Sequence, residues 1–175
     1  MSMRRGRCAV VATIGLVFVG AGATAKLHPL VIYNPTDSAP RGFYLITASE
    51  GPARGDLVAA ELPFEAENLA AERGYLPAGL PVIKTVWATA GDRICVENRR
   101  LSAPERPDLI ALETDRAGRP MPLWNGCRTL GPDEILLASN AVANSFDGRY
   151  FGPVPAANVL GRARLIWPRD GRGEP

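Results

Sequence analysis

Three segments of this chain carry side chains able to do chemistry. In Asn34-Pro35-Thr36-Asp37-Ser38-Ala39-Pro40-Arg41-Gly42-Phe43-Tyr44, two prolines and a glycine bracket Ser38. Proline fixes φ, lacks an N–H and restricts the residue before it, so no regular element runs through Ser38. The hydroxyl sits on a rigid turn just ahead of an apolar strand, although a turn serine beside proline is more often a plain ST-turn. In Val82-Ile83-Lys84-Thr85-Val86-Trp87-Ala88, Lys84 interrupts an apolar run. Period-two alternation sets it on the same strand face as Val82 and Val86. On an exposed edge it is an ordinary lysine; on an inward face, burial disfavours the ammonium and lowers its pKa. A neutral amine near pH 7 accepts a proton from a serine hydroxyl, which an ordinary lysine does not. The third segment runs from Asn144 to Val154 and sets Asp147 and Arg149 two apart in a glycine-rich loop. If exposed, that pair adds well under ~1 kcal/mol. Ser145 in the same loop can orient another polar group, and a structural turn is the plainer reading of the whole segment.

The chain has a single histidine, His28. A Ser-His-Asp or Cys-His mechanism needs an imidazole to take the nucleophile's proton, and His28 sits beside Pro29 just past an apolar run. Its plain reading is a partly exposed residue next to a membrane. A histidine-rich metal site is excluded as well, and no cofactor is implied. A hydrolase built on this chain needs another base. Net charge is only +2, with no basic stripe interleaved with aromatics and no zinc-finger spacing, so nucleic acid is not an expected partner.

Arg4, Arg5 and Arg7 precede an uncharged run from Cys8 to Ala25. Arginines on the near side predict a cytoplasmic amino terminus and an exported remainder. At ~1.5 Å per residue the run just spans a thin hydrocarbon core. An uncleaved signal anchor fits its length better than a removable signal ending at Ala23-Thr24-Ala25, though both readings stand. Either way residues 1–26 form an address and residues 27–175 an exported, β-rich domain at the cytoplasmic membrane or in the periplasm. Cys95 and Cys127 then form an even pair in an oxidising compartment, where a disulfide is the natural expectation and two separate buried thiols the alternative. Closing a loop of roughly thirty residues is worth ~3 kcal/mol in the chain-entropy model.

The elements that must position these groups read as short strands. With 16 prolines and 18 glycines, turns are frequent. Apolar or aromatic runs bounded by turn residues lie at 30–33, 42–47, 55–62, 81–90, 93–98, 134–139 and 159–167. Between Phe64 and Tyr75 the segment is rich in helix formers and closes on Gly74, which predicts a short helix. From about 99 to 127 the chain is polar and broken by Pro104, Pro107, Pro120 and Pro122, an excursion expected to be tied down through Cys127. The expected fold is mainly β, antiparallel and barrel-like.

Taken together, the three segments resemble the TraF branch of the signal peptidase I clan, the conjugative-transfer signal peptidases. Asn34-x-Thr36-x-Ser38-x-Pro40-x-Gly42-x-Tyr44 matches that branch's nucleophile box, Lys84 with Gly91-Asp92 its general-base box, and Asn144 to Gly152 the clan's last box. Gly126-Cys127-Arg128-Thr129-Leu130 is familiar from the same branch, so the similarity runs from about Tyr33 to Trp167. The resemblance implies that Ser38 attacks the scissile carbonyl while Lys84 takes its proton. It implies an oxyanion hole from the Ser38 N–H and the Thr36 hydroxyl, Ser145 holding the Lys84 amine, and Asp147 with Arg149 bracing the loop. Two positions depart. The glycine-aspartate-asparagine stretch of general leader peptidases is replaced by Ser139-Asn140-Ala141-Val142, and Gly148 stands where a serine is common. The first points toward the conjugation branch; the second leaves Asp147 and Arg149 in place.

The implied activity is endoproteolysis of exported precursors after small residues at the inner membrane surface. In that branch the precursors are pilins of a conjugation or type IV secretion system, whose ends acyl transfer can also join. A general leader peptidase and an inactive envelope scaffold of pilus assembly are the alternatives. The missing asparagine-bearing stretch opposes the first, and retention of Ser38, Lys84, Thr36 and Ser145 opposes the second.

Overall fold

The computed structural model describes residues 31–49 and 51–169. The expected membrane or signal run, His28 and Cys8 lie outside them. Among the described residues no helix is long and apolar enough to cross a membrane.

Among the described residues, eleven strands and two α-helices follow one another. They are β1 (Val31–Asn34), β2 (Gly42–Thr47), β3 (Leu57–Ala60), α1 (Phe64–Glu72), β4 (Val82–Ala88) and β5 (Arg93–Glu97). Then come β6 (Arg100–Ser102), β7 (Leu109–Ile110), β8 (Gly126–Thr129), β9 (Glu134–Ala138), α2 (Gly148–Phe151), β10 (Val154–Pro155), a 3-10 turn (Ala156–Asn158) and β11 (Val159–Pro168). Seven strands pair in the order β1-β2-β11-β3-β4-β9-β10, with antiparallel registers throughout, as a curled half-barrel sheet. The remaining four form a smaller antiparallel sheet, β7-β6-β5-β8. The fold is therefore mainly β and antiparallel, as the sequence predicts.

Long β11 ties the large sheet together. It pairs β2 on one side and β3 on the other, with irregularities at Leu165/Trp167 and Val159/Gly161 that let one strand bend across both. Gly42, the first residue of β2, is required there. A Cβ at this position would stand 2.2 Å from the Trp167 carbonyl oxygen, so only glycine lets β11 approach the end of the Ser38 turn.

Apolar side chains fill both faces of the central strands. Val58, Ala60, Val86, Ile135, Leu137 and Val154 pack on one side of β3, β4 and β9. Tyr44, Ile46, Ala59 and Ile83 pack on the other side toward β2. A third cluster, around Trp87, Ile94, Leu101 and Leu136, joins the small sheet to the large one. The segment expected as a polar excursion is thus built into the domain. Its Leu101 and Leu109 enter that core, and Cys95 and Cys127 sit opposite each other on β5 and β8, joined by a disulfide.

Candidate active site

The Ser38 turn is wrapped around one buried amide. Asn34, at the end of β1, donates through Nδ2 to the carbonyls of Thr36 (3.0 Å), Ala39 (3.0 Å) and Pro40 (3.2 Å). Its Oδ1 accepts from the Thr36 N–H at 3.2 Å and from the Thr36 hydroxyl at 2.8 Å. Three carbonyls facing one nitrogen settle which end of the amide is which. Tyr44, fully buried, donates to the Pro40 carbonyl at 2.6 Å and closes the turn from the β2 side. The Ser38 hydroxyl lies 3.0 Å from that of Thr36. With the single Thr36 proton directed at Asn34, Ser38 is the donor of this contact.

Lys84 stands in the middle of the large sheet, in register with Val58 on β3 and on the face that holds Val86. Only 5% of it is exposed. Its Nζ donates to the Ser145 hydroxyl at 2.9 Å, and among the described residues no carboxylate pairs with it. Burial pulls its pKa from 10.5 down to about 8; Asp147 partly opposes the shift and Arg149 adds to it. That change lifts the neutral fraction at pH 7 from about 0.03% to about 10%.

The loop after β9 is far from the exposed turn that its polarity suggests. Asp147 and Arg149 are both fully buried and joined at two points, Nε to Oδ1 at 2.8 Å and Nη2 to Oδ2 at 2.7 Å. Asp147 also caps α2 through the Arg149 N–H at 3.2 Å. The remaining guanidinium protons reach the carbonyls of Ile110 and Ala143 (3.1 Å each), Ser139 (3.2 Å), Val142 and Ser145 (3.4 Å each). Arg149 therefore cross-links this loop to the small sheet and holds the peptide of Ser145. Gly148 between them packs against β9, where a Cβ would meet the Leu137 carbonyl oxygen and Leu136 Cδ1 at 2.8 Å. A serine does not fit there without movement of its neighbours.

Thr36, Ser38, Lys84 and Ser145 all line one cleft of about 630 Å³. Ile32, Leu62, Leu76 and Val82 form apolar parts of its wall, and Asp115, Arg116 and Arg119 of the 99–127 segment form another. Asp147 and Arg149 lie behind it. Ser38 and Lys84 are not hydrogen-bonded to each other: the hydroxyl is engaged with Thr36 and the amine with Ser145. Among the described residues no cluster of His, Cys, Asp or Glu is able to hold a metal ion. Two site residues escape sequence reasoning. Asn34 is the hub of the turn, and Ser139, 2% exposed at the end of β9, donates to the Ser38 carbonyl at 2.6 Å. The only signal for Ser139 is a hydroxyl that closes an apolar strand.

Comparison with known proteins gives the family. The family model described as signal peptidase, peptidase S26, matches residues 4–168. A TraF conjugal transfer protein of Sinorhizobium fredii is 36% identical, covering 93% of this chain and 91% of its own length. The plasmid transfer protein TraF of Escherichia coli is 33% identical, with 86% of this chain and 88% of its own covered. The conjugal transfer protein TraF of Agrobacterium tumefaciens is 34% identical over 94% of this chain and 98% of its own. A serine and a buried lysine on one cleft, in a chain matched over nearly its whole length, place it: the chain belongs to the signal peptidase S26 family and stands with that family's TraF conjugal-transfer members.

Proposed function

We propose that this chain is an active serine endopeptidase that cleaves exported precursors during conjugation, with Ser38 as nucleophile and Lys84 as general base. The observation that carries the reading is a lysine amine buried in the wall of the cleft that holds Ser38, with no carboxylate among the described residues in direct contact with it. Ser38 Oγ bonds to the scissile carbonyl carbon and passes its proton to Lys84 Nζ. The tetrahedral oxyanion is held by the Ser38 N–H and the Thr36 hydroxyl. Collapse breaks the C–N bond, and the Lys84 ammonium protonates the departing amine. Water, deprotonated by the same amine, then frees the acyl group; an amine in its place joins two ends instead. Two hydroxyls turn for this chemistry. Ser38 leaves Thr36 for the lysine, and Thr36 turns its proton from Asn34 toward the oxyanion. Such contacts commonly tighten only with substrate bound.

The transfer-protein names of the relatives support a role in conjugation, and the substrate proposed within that role is a pilin precursor. Membrane attachment, with residues 1–26 as anchor or signal and the remainder on the periplasmic side, has support in the described residues. Tyr33, Phe43 and Trp167 stand side by side across β1, β2 and β11, on one face, and Trp167 is 70% exposed. Arg162 and Arg164 continue that face along β11. Aromatic and basic side chains of this kind suit a bilayer interface, and β1 begins only six residues past the apolar run.

The test is cleavage of the cognate pilin precursor by membranes carrying Ser38→Ala or Lys84→Ala. Each variant is expected to fold and to lose at least about 10³-fold in rate, as removal of a nucleophile or its base does in other serine peptidases. Normal cleavage by either variant removes the assignment.

A further inference from the structure

We infer that Ser139 is a positioning residue for the nucleophile, its hydroxyl fixing the Ser38 peptide and the buried Asp147–Arg149 pair holding it there. The inference rests on Ser38 being the nucleophile, as proposed above. Every polar group of Ser139 is engaged. Its hydroxyl donates to the Ser38 carbonyl at 2.6 Å and accepts from the Ala141 N–H at 3.2 Å. Its N–H donates to Asp147 Oδ2 at 3.0 Å, and its carbonyl accepts from Arg149 Nη2 at 3.2 Å.

The consequence concerns the freedom left to Ser38. On its amino-terminal side, the Asn34 amide holds both the N–H and the carbonyl of Thr36. On its carboxyl-terminal side Asn34 holds the carbonyls of Ala39 and Pro40, but nothing of Asn34 reaches the Ser38 carbonyl. Among the described residues that group is fixed by Ser139 alone, from a strand end 101 residues away. With Thr36 held two residues before it and the Ser38–Ala39 peptide held after it, Ser38 keeps rotation about χ1 as the motion that exchanges Thr36 for Lys84. Without the Ser139 hydroxyl the Ser38 carbonyl is free to tilt and carries the side chain with it. An ångström of misplacement at an attacking atom is enough to cost orders of magnitude. The arrangement also gives the Asp147–Arg149 pair, which lines no part of the cleft, a physical connection to the nucleophile: carboxylate and guanidinium grip the Ser139 backbone, and the Ser139 side chain grips Ser38.

Ser139→Ala removes the hydroxyl, and with it the bonds to the Ser38 carbonyl and the Ala141 N–H, and leaves both backbone contacts of Ser139 in place. Full-length protein in detergent is mixed with the p-nitrophenyl ester of N-acetyl-alanine, and the release of p-nitrophenolate is followed by stopped flow. In the measured step Ser38 Oγ bonds to the acyl carbon, its proton goes to Lys84, and p-nitrophenolate leaves. Acylation by Ser139→Ala is expected to slow about 10- to 100-fold. Its half-saturating ester concentration stays within about threefold, and the rate still rises through the same pH near 8, because the amine is untouched. Ser139→Thr, which keeps a hydroxyl, restores most of the rate. An acylation rate within twofold of wild type in Ser139→Ala overturns the inference. So does a loss that comes with a lower melting temperature and is not recovered by Ser139→Thr or by the smaller Ser139→Cys, which marks Ser139 as structural only. A wild-type burst that survives in Ser38→Ala overturns the underlying assignment instead, which keeps the two failures apart.

Discussion

Two cations are buried among the described residues of this domain, Arg149 and Lys84, and the protein treats them in opposite ways. Arg149 is met by a carboxylate at two points and by five backbone carbonyls. Burial alone would lower its pKa, but the Asp147 contacts outweigh that and raise it above the ordinary value. Lys84 is met by one neutral hydroxyl and apolar neighbours on β3 and β4, and its pKa falls to about 8. One site is built so that charge is permanent, the other so that charge is dispensable. A buried ion is tolerated only when its hydrogen-bonding needs are filled, so withholding partners is the direct way to make an amine basic without keeping it protonated. The two charges thus differ here less in burial than in how many acceptors the backbone turns toward them.

The comparison breaks first at Asp147. Asp147→Ala leaves the Arg149 guanidinium buried with only neutral carbonyls, and removal of one partner of a buried pair costs about 3–5 kcal/mol. Urea unfolding of the variant is the measurement. A loss below about 1 kcal/mol would mean that the carbonyls alone satisfy the arginine, and that Asp147 is not what distinguishes it from Lys84.

Lys84 is tested next through the pH dependence of stability. Its folded pKa of about 8 lies below the 10.5 of an ordinary lysine. Below pH 8 both folded and unfolded chains hold the proton, and the penalty of burying the ammonium is fully present. Between pH 8 and 10.5 the unfolded chain keeps a proton that the folded chain has released, so stability rises with pH. Lys84→Met has no such term. Its stability relative to wild type is therefore expected to drop by about 2 to 3 kcal/mol from pH 7 to pH 10. The constant cost of leaving Ser145 unpartnered cancels in that difference. A gap that does not change with pH would show a lysine that titrates like a surface one.

How much of this was legible in sequence follows from how local each feature is. GFYLIT became β2 over Gly42–Thr47, because its turn residues and apolar alternation are local facts. The helix at Phe64–Glu72 was readable for the same reason. Strands β6, β7, β8 and β10 were not. They have two to four residues each, β8 is exposed along its length, and their pairing is dictated by a hairpin, a disulfide or a neighbour rather than by a period. Helix α2 has four residues and exists because Asp147 caps it. Within the site, Ser38 and Lys84 stood out as a serine on a braced turn and a charge in an apolar strand. The depth of Lys84 did not, because it depends on β3 and β9 flanking β4. The Asp147–Arg149 pair read as a surface contact because nothing in the loop's composition reveals what covers it. Asn34 and Ser139 were missed for a common reason: their bonds run to backbone atoms, which no side-chain pattern encodes.

Ser145 gives the smallest and sharpest test of the contrast. Among the described residues its hydroxyl is the single hydrogen-bond partner of the Lys84 amine, 61 residues away in sequence. If its task is to aim the amine, Ser145→Ala lowers the cleavage rate about 10- to 100-fold, and alkaline buffer does not restore it, because the deficit is in position and not in the proton. If its task is instead to help the lysine lose its proton, activity recovers as the pH is raised well above 8. The structure argues for aim. A hydroxyl that accepts from an ammonium favours the charged form, so removing Ser145 does not raise the lysine's pKa. Arg149 meanwhile holds the Ser145 carbonyl at 3.4 Å, so the permanent charge sets the place of the hydroxyl that in turn sets the place of the dispensable one. Rates for wild type and Ser145→Ala that stay parallel from pH 7 to 10 support that order, and rates that converge at high pH refute it.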